Sequence, residues 1–292
     1  MPIKQKYTAR ASPPMAYYII SFDLESTGLS TYTDQVVEFG AAIVRWDSVT
    51  GEMQALESFA RYAKPTEAKM GRRAEELTGI RPEDLKGAAP IKAVLDLFRD
   101  HLEATCEEPI PRLLLSYNGF AYDIPMLVAE ILRYGGSPAT YFRLLRMEST
   151  IDVLPFGRSC FDTSRLVRRA NGTCSYRLGD VYQAFCKCPL DGAHGAMADS
   201  LAVLDILRAE EVMAPFKAAV EQCSEMPDCA YRRNPMALVR TIMARIESRS
   251  SAGRKAGSKR VLDMVGTHLS KKAKTETVCA AVAQKKESRA VE

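Results

Sequence analysis

Two acidic residues stand close together in an otherwise apolar segment, Phe22-Asp23-Leu24-Glu25. In a β-strand, residues i and i+2 share a face, so the two carboxylates project together while Phe22 and Leu24 pack on the other side. Two carboxylates at one strand end repel each other unless a cation or solvent separates them. Asp23 and Glu25 therefore indicate either a cation site or an ordinary solvated strand end.

Two further segments carry residues of the same chemical type. Asp123 lies where a short apolar run, 113–117, opens into a helical pattern, which is also a common place for an N-capping acid. His194 precedes Asp199 by five residues, in a loop that leads into the next helix. Each segment alone is weak evidence for a site, and the three together are stronger.

The three segments resemble the DEDDh group of DnaQ-like 3′-to-5′ exonucleases, which carry Asp-x-Glu, then Asp, then His followed five residues later by Asp. The order and the spacing both match, and within the group the likeness is to the three-prime repair exonucleases. This resemblance covers residues 17–210. The further matches are Asn118-Gly119 five positions before Asp123, then Pro125 and Leu127, and Ser175-Tyr176-x-Leu178-Gly179 leading to His194.

The chain departs from the family pattern in two respects. Tyr117 occupies the place where these enzymes commonly have a histidine, and this exchange is expected to alter the fit of the substrate. Neither a proline-rich insertion nor a hydrophobic C-terminal anchor is found, which argues against membrane tethering.

The resemblance implies a phosphodiester hydrolase with two Mg²⁺ ions per active site and Mn²⁺ as a substitute. Asp23 would bridge both ions, and Glu25 and Asp199 would complete the site that activates water. Asp123 would support the second ion. His194 would be the general base, because an unperturbed pKa of about 6.5 suits proton abstraction near neutrality.

The resemblance also implies contacts to the terminal nucleotide. Leu24 and Leu29 would touch it, and Asn118 would line its pocket. Thr27 and Gly28 belong to the same binding segment, where glycine lets the backbone approach closely. The candidates for base stacking are Phe120 and Tyr122, with core packing as the alternative, and those for phosphate contact are Arg165, Arg168 and Arg169, with a solvated helix face as the alternative.

Periodicity predicts the elements that must position these residues. Strands are expected at 17–24, 36–46 and about 53–62 as a meander, and then at 113–117 and 149–154. Helices are expected at about 91–102, 124–132, 160–169, 178–187, 196–213 and 234–248. This order predicts an α/β fold, a ribonuclease H-like mixed five-stranded sheet flanked by helices.

Composition fits this organisation. The 292 residues are 47% hydrophobic and 26% charged, which excludes collagen, a wholly disordered chain and a disulfide-dense mini-protein. The net charge of +4 divides into +7 for 249–292 and −3 for the rest. The expected organisation is a flexible N-terminus (1–15), an exonuclease domain (16–215), a helical extension (216–248) and a disordered basic tail (249–292).

The predicted activity is 3′-5′ exonucleolytic cleavage of DNA, with single-stranded or frayed ends preferred. Nothing in the motifs distinguishes deoxyribose from ribose, so a 3′-5′ exoribonuclease is an alternative. A catalytically inactive nucleic-acid-binding module is a second alternative, which the complete set of catalytic-type residues disfavours. Proofreading as part of a polymerase fits poorly because no polymerase domain follows, although the chain could act in trans.

Several partners and a location are also expected. Two basic clusters, Lys259-Arg260 and Lys271-Lys272-Ala273-Lys274, resemble a bipartite nuclear-import signal, so a nuclear location and an import receptor are predicted, with a cytoplasmic location as the alternative. The competing reading of the tail is a polycation that tethers DNA. The family suggests a homodimer through an edge strand near 53–62. No apolar run approaches the ~20 residues of a membrane span, so no membrane partner is expected.

Overall fold

The computed structural model describes residues 15–31, 33–222 and 229–252. Most of the predicted flexible N-terminus lies outside these residues, and so do positions 253–292 of the predicted basic tail, with both clusters of the import signal. Among the described helices, none combines the length and the hydropathy that a membrane span requires.

The described residues form one mixed sheet of eight strands. In chain order the strands are β1 (Ala16–Ser26), β2 (Val36–Asp47), β3 (Met53–Ala55), β4 (Phe59–Lys64), β5 (Ala89–Pro90), β6 (Arg112–Ser116), β7 (Met147–Asp152) and β8 (Arg232–Arg233). Across the sheet they run β5-β4-β2-β1-β6-β7-β8, and β3 pairs with β2 beside this path. The central strand β1 is antiparallel to β2 and parallel to β6, which is in turn parallel to β7.

The predicted mixed α/β sheet flanked by helices is confirmed. All five predicted strands are present, and the third is divided into β3 and β4. The two-residue strands β5 and β8 extend the sheet at its ends, which brings the number of strands to eight.

Helices pack on both faces of the sheet. Three of them were not expected: α1 (Arg72–Thr78), α4 (Pro138–Leu144) and α5 (Val153–Cys160). At seven or eight residues each, they are too short for a clear apolar period. The helices are α1 (Arg72–Thr78), α2 (Ile91–Thr105), α3 (Asp123–Arg133), α4 (Pro138–Leu144), α5 (Val153–Cys160), α6 (Leu178–Cys186), α7 (Ala196–Arg208), α8 (Glu210–Gln222) and α9 (Pro235–Ala252).

Two helix predictions need correction. The helix expected at 160–169 is wrong: α5 ends at Cys160, and the Ser164 amide donates to Asp162 Oδ1 at 2.9 Å, a local turn that competes with a helix. The helix expected at 196–213 is two helices, because Ala209 adopts an extended conformation between α7 and α8.

The alternation of β1 divides the core into two layers. Its even-numbered residues, such as Ile20 and Phe22, pack with α2 and α3, while its odd-numbered Ile19 packs with α6, α7 and α8. Asp23 and Glu25 continue the odd-numbered series. Because of this parity, the two acids leave the sheet on the side that α7 covers.

A close backbone contact seats α7 on the sheet. A Cβ at Gly40 of β2 would lie 2.4 Å from the Ala196 carbonyl carbon, so only glycine allows this approach. The Ser200 hydroxyl donates to the Gly40 carbonyl oxygen at 3.1 Å. These contacts set the distance between the first turn of α7 and the sheet.

Gly40→Ala should therefore destabilise the protein by about 1–3 kcal/mol, the usual cost of overpacking. Urea unfolding of the variant and the parent measures the difference. Gly87→Ala is the matched control, because a Cβ at Gly87 meets no atom within 4 Å. Equal midpoints for the parent and Gly40→Ala would contradict the proposed packing.

Candidate active site

The predicted acids meet at one edge of the sheet. The parallel strands β1, β6 and β7 end on the same side, and Asp23 and Glu25 lie near the end of β1. Asp123 follows β6 by one loop and stands in the first turn of α3. Carboxyl ends of parallel strands are where such sheets commonly bind ligands.

Three of the acids form a compact cluster. Asp23, Glu25 and Asp199 can each direct one carboxylate oxygen so that these oxygens lie within 4.8 Å of one another. Asp199 comes from the first turn of α7, far away in sequence. All three side chains are partly buried.

Asp123 lies beside this cluster. Its side chain is buried, and its Oδ1 accepts a hydrogen bond from the Leu24 amide at 3.2 Å, between the two acids of β1. The loop before it depends on Asp152 at the end of β7, which accepts hydrogen bonds from the Asn118 amide at 2.8 Å and the Phe120 amide at 3.0 Å. Asn118 itself has a positive φ of 65°, so these bonds stabilise an unusual turn.

The crowding of negative charge raises the pKa values of the cluster. Burial, together with the charges of Asp199 and two other nearby carboxylates, raises the pKa of Glu25 to about 8. Burial and then the charge of Asp123 raise the pKa of Asp23. Burial also raises the pKa of Asp199, against the opposing effect of a hydrogen bond from the His194 amide. Without a cation, the site therefore disfavours its own ionised form.

The donor set fits a hard divalent cation. Mg²⁺ prefers carboxylate oxygens and water, and every member of the cluster offers a carboxylate. Asp199 Oδ1 is buried and has no hydrogen-bond partner among the described residues. A buried oxygen without a partner is costly unless a ligand satisfies it, so the residues present suit a metal.

His194 stands next to the cluster in an exposed loop. Its backbone has a positive φ of 69°, and its amide donates to the Asp199 carboxylate. The imidazole is not among the residues that line the cleft beside the cluster. The structure thus brings His194 beside Asp199: its amide bonds to the carboxylate, and the charge of its ring lowers the pKa of Asp199.

A cleft of about 740 Å³ opens beside the carboxylates. It contains the predicted binding segment, and Leu29 there is 78% exposed. Leu24 also lines the cleft, although its side chain is only 2% exposed and packs in the core. The predicted site residues that line the cleft are Asp23, Leu24, Glu25, Thr27, Gly28, Leu29, Asn118, Tyr122 and Asp123.

Side-chain contacts hold the binding segment in place. The Tyr122 hydroxyl donates to the Gly28 carbonyl oxygen at 3.0 Å and lies 2.5 Å from Ser26 Oγ. Asp34 accepts a hydrogen bond from the Ser30 amide, and a Cβ at Gly28 would come within 2.6 Å of the same carboxylate. A larger residue at position 28 would therefore displace the Asp34 carboxylate from this turn.

The opposite wall of the cleft was missed by sequence reasoning. It comes from α1, where Leu77 is 49% exposed and Arg73 is exposed. The available signal was Gly79, which ends α1 with a positive φ of 71°, as glycine often does at a helix C-terminus. The lining residues from this side are Gly71, Arg73, Ala74, Leu77 and Thr78.

The aromatic and basic residues that are candidates for nucleic-acid contact lie in three places: the cleft, the core and an exposed loop. Tyr122 lines the cleft, whereas Phe120 packs against the core with the Arg233 guanidinium 5.5 Å from its ring centre. Arg165, Arg168 and Arg169 are exposed in the loop after α5, and Arg165 pairs with Glu211. These arginines therefore lie on a loop rather than on the expected helix face.

Tyr117, which replaces the family histidine, also lines the cleft. Its hydroxyl donates to the Tyr176 carbonyl oxygen at 2.7 Å, and burial raises its pKa. The tyrosine at position 117 thus joins the lining of the cleft to the Ser175-Tyr176 segment by a hydrogen bond.

The geometry agrees with the comparisons with known proteins. The family model described as Exonuclease (RNase_T) matches residues 20–207. The chain therefore belongs to this exonuclease family, and the predicted resemblance to the DnaQ-like 3′-5′ exonucleases is confirmed.

Curated relatives support the same assignment. Three prime repair exonuclease 2 of Homo sapiens is 28% identical over 215 residues, which are 69% of this chain and 87% of the relative. Its Mus musculus counterpart is 27% identical over 218 residues, 70% of this chain and 89% of the relative. The PolC-type DNA polymerase III of Ureaplasma parvum is 25% identical over 198 residues, which are 66% of this chain and only 11% of that polymerase.

Solved structures share the fold. E. coli exonuclease I in complex with a dT13 oligonucleotide superposes with a TM-score of 0.58 at 20% identity, over 73% of this chain and 44% of that one. The zinc-bound form of the exonuclease I complex with single-stranded DNA gives 0.56 at 20% identity, over 70% and 42%. The chain thus spans less than half of exonuclease I, and at this identity the likeness concerns the fold, which is the predicted ribonuclease H-like one.

The pKa of Glu25 predicts how stability depends on pH without metal. Its pKa is about 8 in the folded chain against 4.5 for an ordinary glutamate, so the folded state binds more protons than the unfolded state between these values. The free energy of unfolding must then decrease as pH rises through this range. In chelator, Tm should fall between about pH 5 and pH 8, and Glu25→Gln should reduce that fall.

Thermal melts at several pH values, with EDTA and with Mg²⁺, provide the measurement. Added Mg²⁺ should raise Tm more at the alkaline end, where the carboxylates ionise without competition from protons. Parallel curves for the parent and Glu25→Gln in EDTA would contradict the raised pKa.

Proposed function

We propose that the chain is a metal-dependent 3′-5′ exonuclease that acts on DNA and releases 5′-nucleoside monophosphates. The observation that carries the proposal is the cluster of Asp23, Glu25 and Asp199 at the edge of a cleft that is lined by both apolar and polar groups. Membership of the exonuclease family supports the class of reaction.

The residues divide the chemical work between them. Asp23, Glu25 and Asp199 would hold one Mg²⁺ ion, and Asp123 with Asp23 a second. Two such ions acidify a bound water and offset the charge on the leaving oxygen. His194 would accept the proton of the attacking water, for which its exposed loop beside Asp199 leaves room. The new bond would join the water oxygen to phosphorus, and the bond from phosphorus to the 3′-oxygen would break. The electron pair stays on the 3′-oxygen of the shortened strand, which takes a proton from solvent, and the phosphate leaves on the released nucleotide.

DNA is the favoured substrate because of the relatives. The human and mouse relatives are named as repair exonucleases, and the exonuclease I structures hold deoxyoligonucleotides. RNA remains the alternative substrate, since no described contact identifies a group for the 2′-hydroxyl. The complete carboxylate cluster disfavours an inactive binding module.

The walls of the cleft suit one unpaired terminal nucleotide. Leu29 and Leu77 are exposed on opposite sides, and Tyr122 lies between the carboxylates and the Gly28 turn. Apolar and aromatic groups that flank a base favour stacking over pairing, each stack contributing about 1–3 kcal/mol. A base must therefore leave its partner strand before it enters.

The wider assignments follow from the same proposal. We place the enzyme in the nucleus and in the repair of DNA ends, through the basic clusters of the tail and the repair exonuclease relatives. A homodimer through the edge of the sheet near 53–62 and the organisation into a domain, an extension and a tail are proposed on the family resemblance. These proposals are independent of the chemistry of the cleft.

Asp23→Ala should abolish release of mononucleotides in Mg²⁺ while the fold persists, because removal of one crowded carboxylate relieves repulsion. His194→Ala should reduce the rate by about 10²–10⁴-fold, the usual share of a general base. Chromatography of products from single-stranded oligonucleotides, with Mg²⁺ and with EDTA, is the measurement.

Matched controls use residues of the same type elsewhere on the surface. Asp191→Ala, in the loop before His194, and His101→Ala, on α2, should retain parental rates. Parental activity of Asp23→Ala, or full activity in EDTA, would reject the proposed chemistry.

Preference for an unpaired end forms a separate prediction. Rates on single-stranded, 3′-mismatched and blunt duplex DNA should fall in that order, because each further pair must be broken first. Leu77→Ala should raise KM for the single strand with a smaller effect on kcat, since it removes a binding contact away from the carboxylates. Fastest cleavage of blunt RNA duplex would overturn the substrate assignment.

A further inference from the structure

A fifth acid, Glu38, stands beside the carboxylate cluster without a role in the chemistry described above. It lies on β2 directly opposite Glu25 of β1, and directly opposed residues of an antiparallel pair share one face of the sheet. Its side chain is partly exposed. Its charge contributes to the raised pKa values of Asp23, Glu25 and Asp199, so an acid here has an electrostatic cost.

The geometry shows what offsets that cost. Glu38 Oε2 accepts a hydrogen bond from the Ala196 amide at 3.0 Å. Ala196 is the first residue of α7, and the preceding Gly195 has no side chain that could cap the helix. Helix N-termini leave amides without partners and favour a nearby negative charge. The cap of α7 therefore comes from the Glu38 side chain on β2.

This cap belongs to a three-part seat for α7. Gly40 lies two residues after Glu38 on β2, and its lack of a side chain lets the Ala196 backbone come close. The Gly40 carbonyl oxygen accepts a hydrogen bond from the Ser200 hydroxyl. Asp199 lies on the same helical turn as Ala196 and Ser200, and its amide bonds to the Gly195 carbonyl oxygen at 3.0 Å. A shift at Ala196 would thus move Asp199 relative to Asp23 and Glu25.

The same contact fixes the loop that carries the predicted base. His194 precedes Ala196 by two residues, and its amide bonds to the Asp199 carboxylate. The helix start and the loop therefore move together. Without the bond from Ala196 to Glu38, the loop and the helix start lose one of the contacts that position them on β2.

We propose that Glu38 is a positioning residue: by capping Ala196 it holds the start of α7, and with it Asp199 and the His194 loop, against the acids of β1. This inference rests on the proposed function for its catalytic consequence. Its structural content concerns the hydrogen-bond acceptor at position 38 and is independent of hydrolysis.

Three substitutions separate the acceptor from the charge. Glu38→Gln keeps an oxygen that can accept from Ala196 and removes the charge. Glu38→Asp keeps the charge and withdraws the carboxylate by one methylene, and Glu38→Ala removes both. Glu148→Gln is the control, because Glu148 is an exposed glutamate on another strand of the sheet, β7.

The readouts are Mn²⁺ binding by calorimetry, hydrogen exchange of the Ala196 amide by NMR, and kcat and KM on a single-stranded oligonucleotide. Glu38→Ala and Glu38→Asp should exchange the Ala196 amide faster and bind Mn²⁺ more weakly. Their kcat should fall by about 10–100-fold with a smaller change in KM, as a small misplacement of a catalytic group does. Glu38→Gln and Glu148→Gln should stay within about threefold of the parent in kcat and Mn²⁺ affinity.

Three results would overturn the proposal. They are parental Mn²⁺ affinity and kcat in Glu38→Ala, parental behaviour of Glu38→Asp, and a Glu38→Gln variant as impaired as Glu38→Ala, which would assign the effect to charge. If Glu38→Ala does not fold, the other two variants decide. A parent chain that binds Mn²⁺ but hydrolyses no nucleic acid would contradict the proposed function alone, because amide exchange and Mn²⁺ affinity still test the position of α7.

Discussion

Repulsion between carboxylates is the constraint that organises this protein. Asp23 and Glu25 share one face at the end of the central strand, and Asp199 is brought against them from α7. Burial and mutual repulsion raise the pKa of Glu25 to about 8, so the arrangement disfavours its own charges near neutral pH. A divalent cation would offset that cost, and the carboxylate donor set suits one.

The rest of the fold keeps these charges from moving apart. Asp152 fixes the turn before Asp123, Tyr122 fixes the turn after Glu25, and Glu38 caps the helix that carries Asp199. Each contact joins a loop or helix start to a strand of the sheet. The strands themselves are packed between two apolar layers, so the packed core holds the strand ends that carry the site in fixed positions.

Sequence reasoning could bring the acids of the cluster together because their signal is local. The alternation of β1 places Asp23 and Glu25 together, and the spacing of His194 and Asp199 puts both at one helix start. The cleft wall formed by α1 was missed, since seven residues are too few for a clear period. Glu38 was missed for a different reason: its partner, the Ala196 amide, is a backbone group on a distant segment, and no side-chain pattern reports such a contact. The helix expected at 160–169 failed because the Asp162 side chain satisfies the backbone locally.

The central claim is that the acids hold two metal ions close enough to act on one phosphate. Electron paramagnetic resonance of the parent chain titrated with Mn²⁺ measures this directly, since two ions about 3.5–4 Å apart couple magnetically. The account predicts two bound ions per chain with a coupled spectrum, and loss of that coupling in Asp23→Ala. Two uncoupled ions, or binding that Asp23→Ala leaves unchanged, would contradict it.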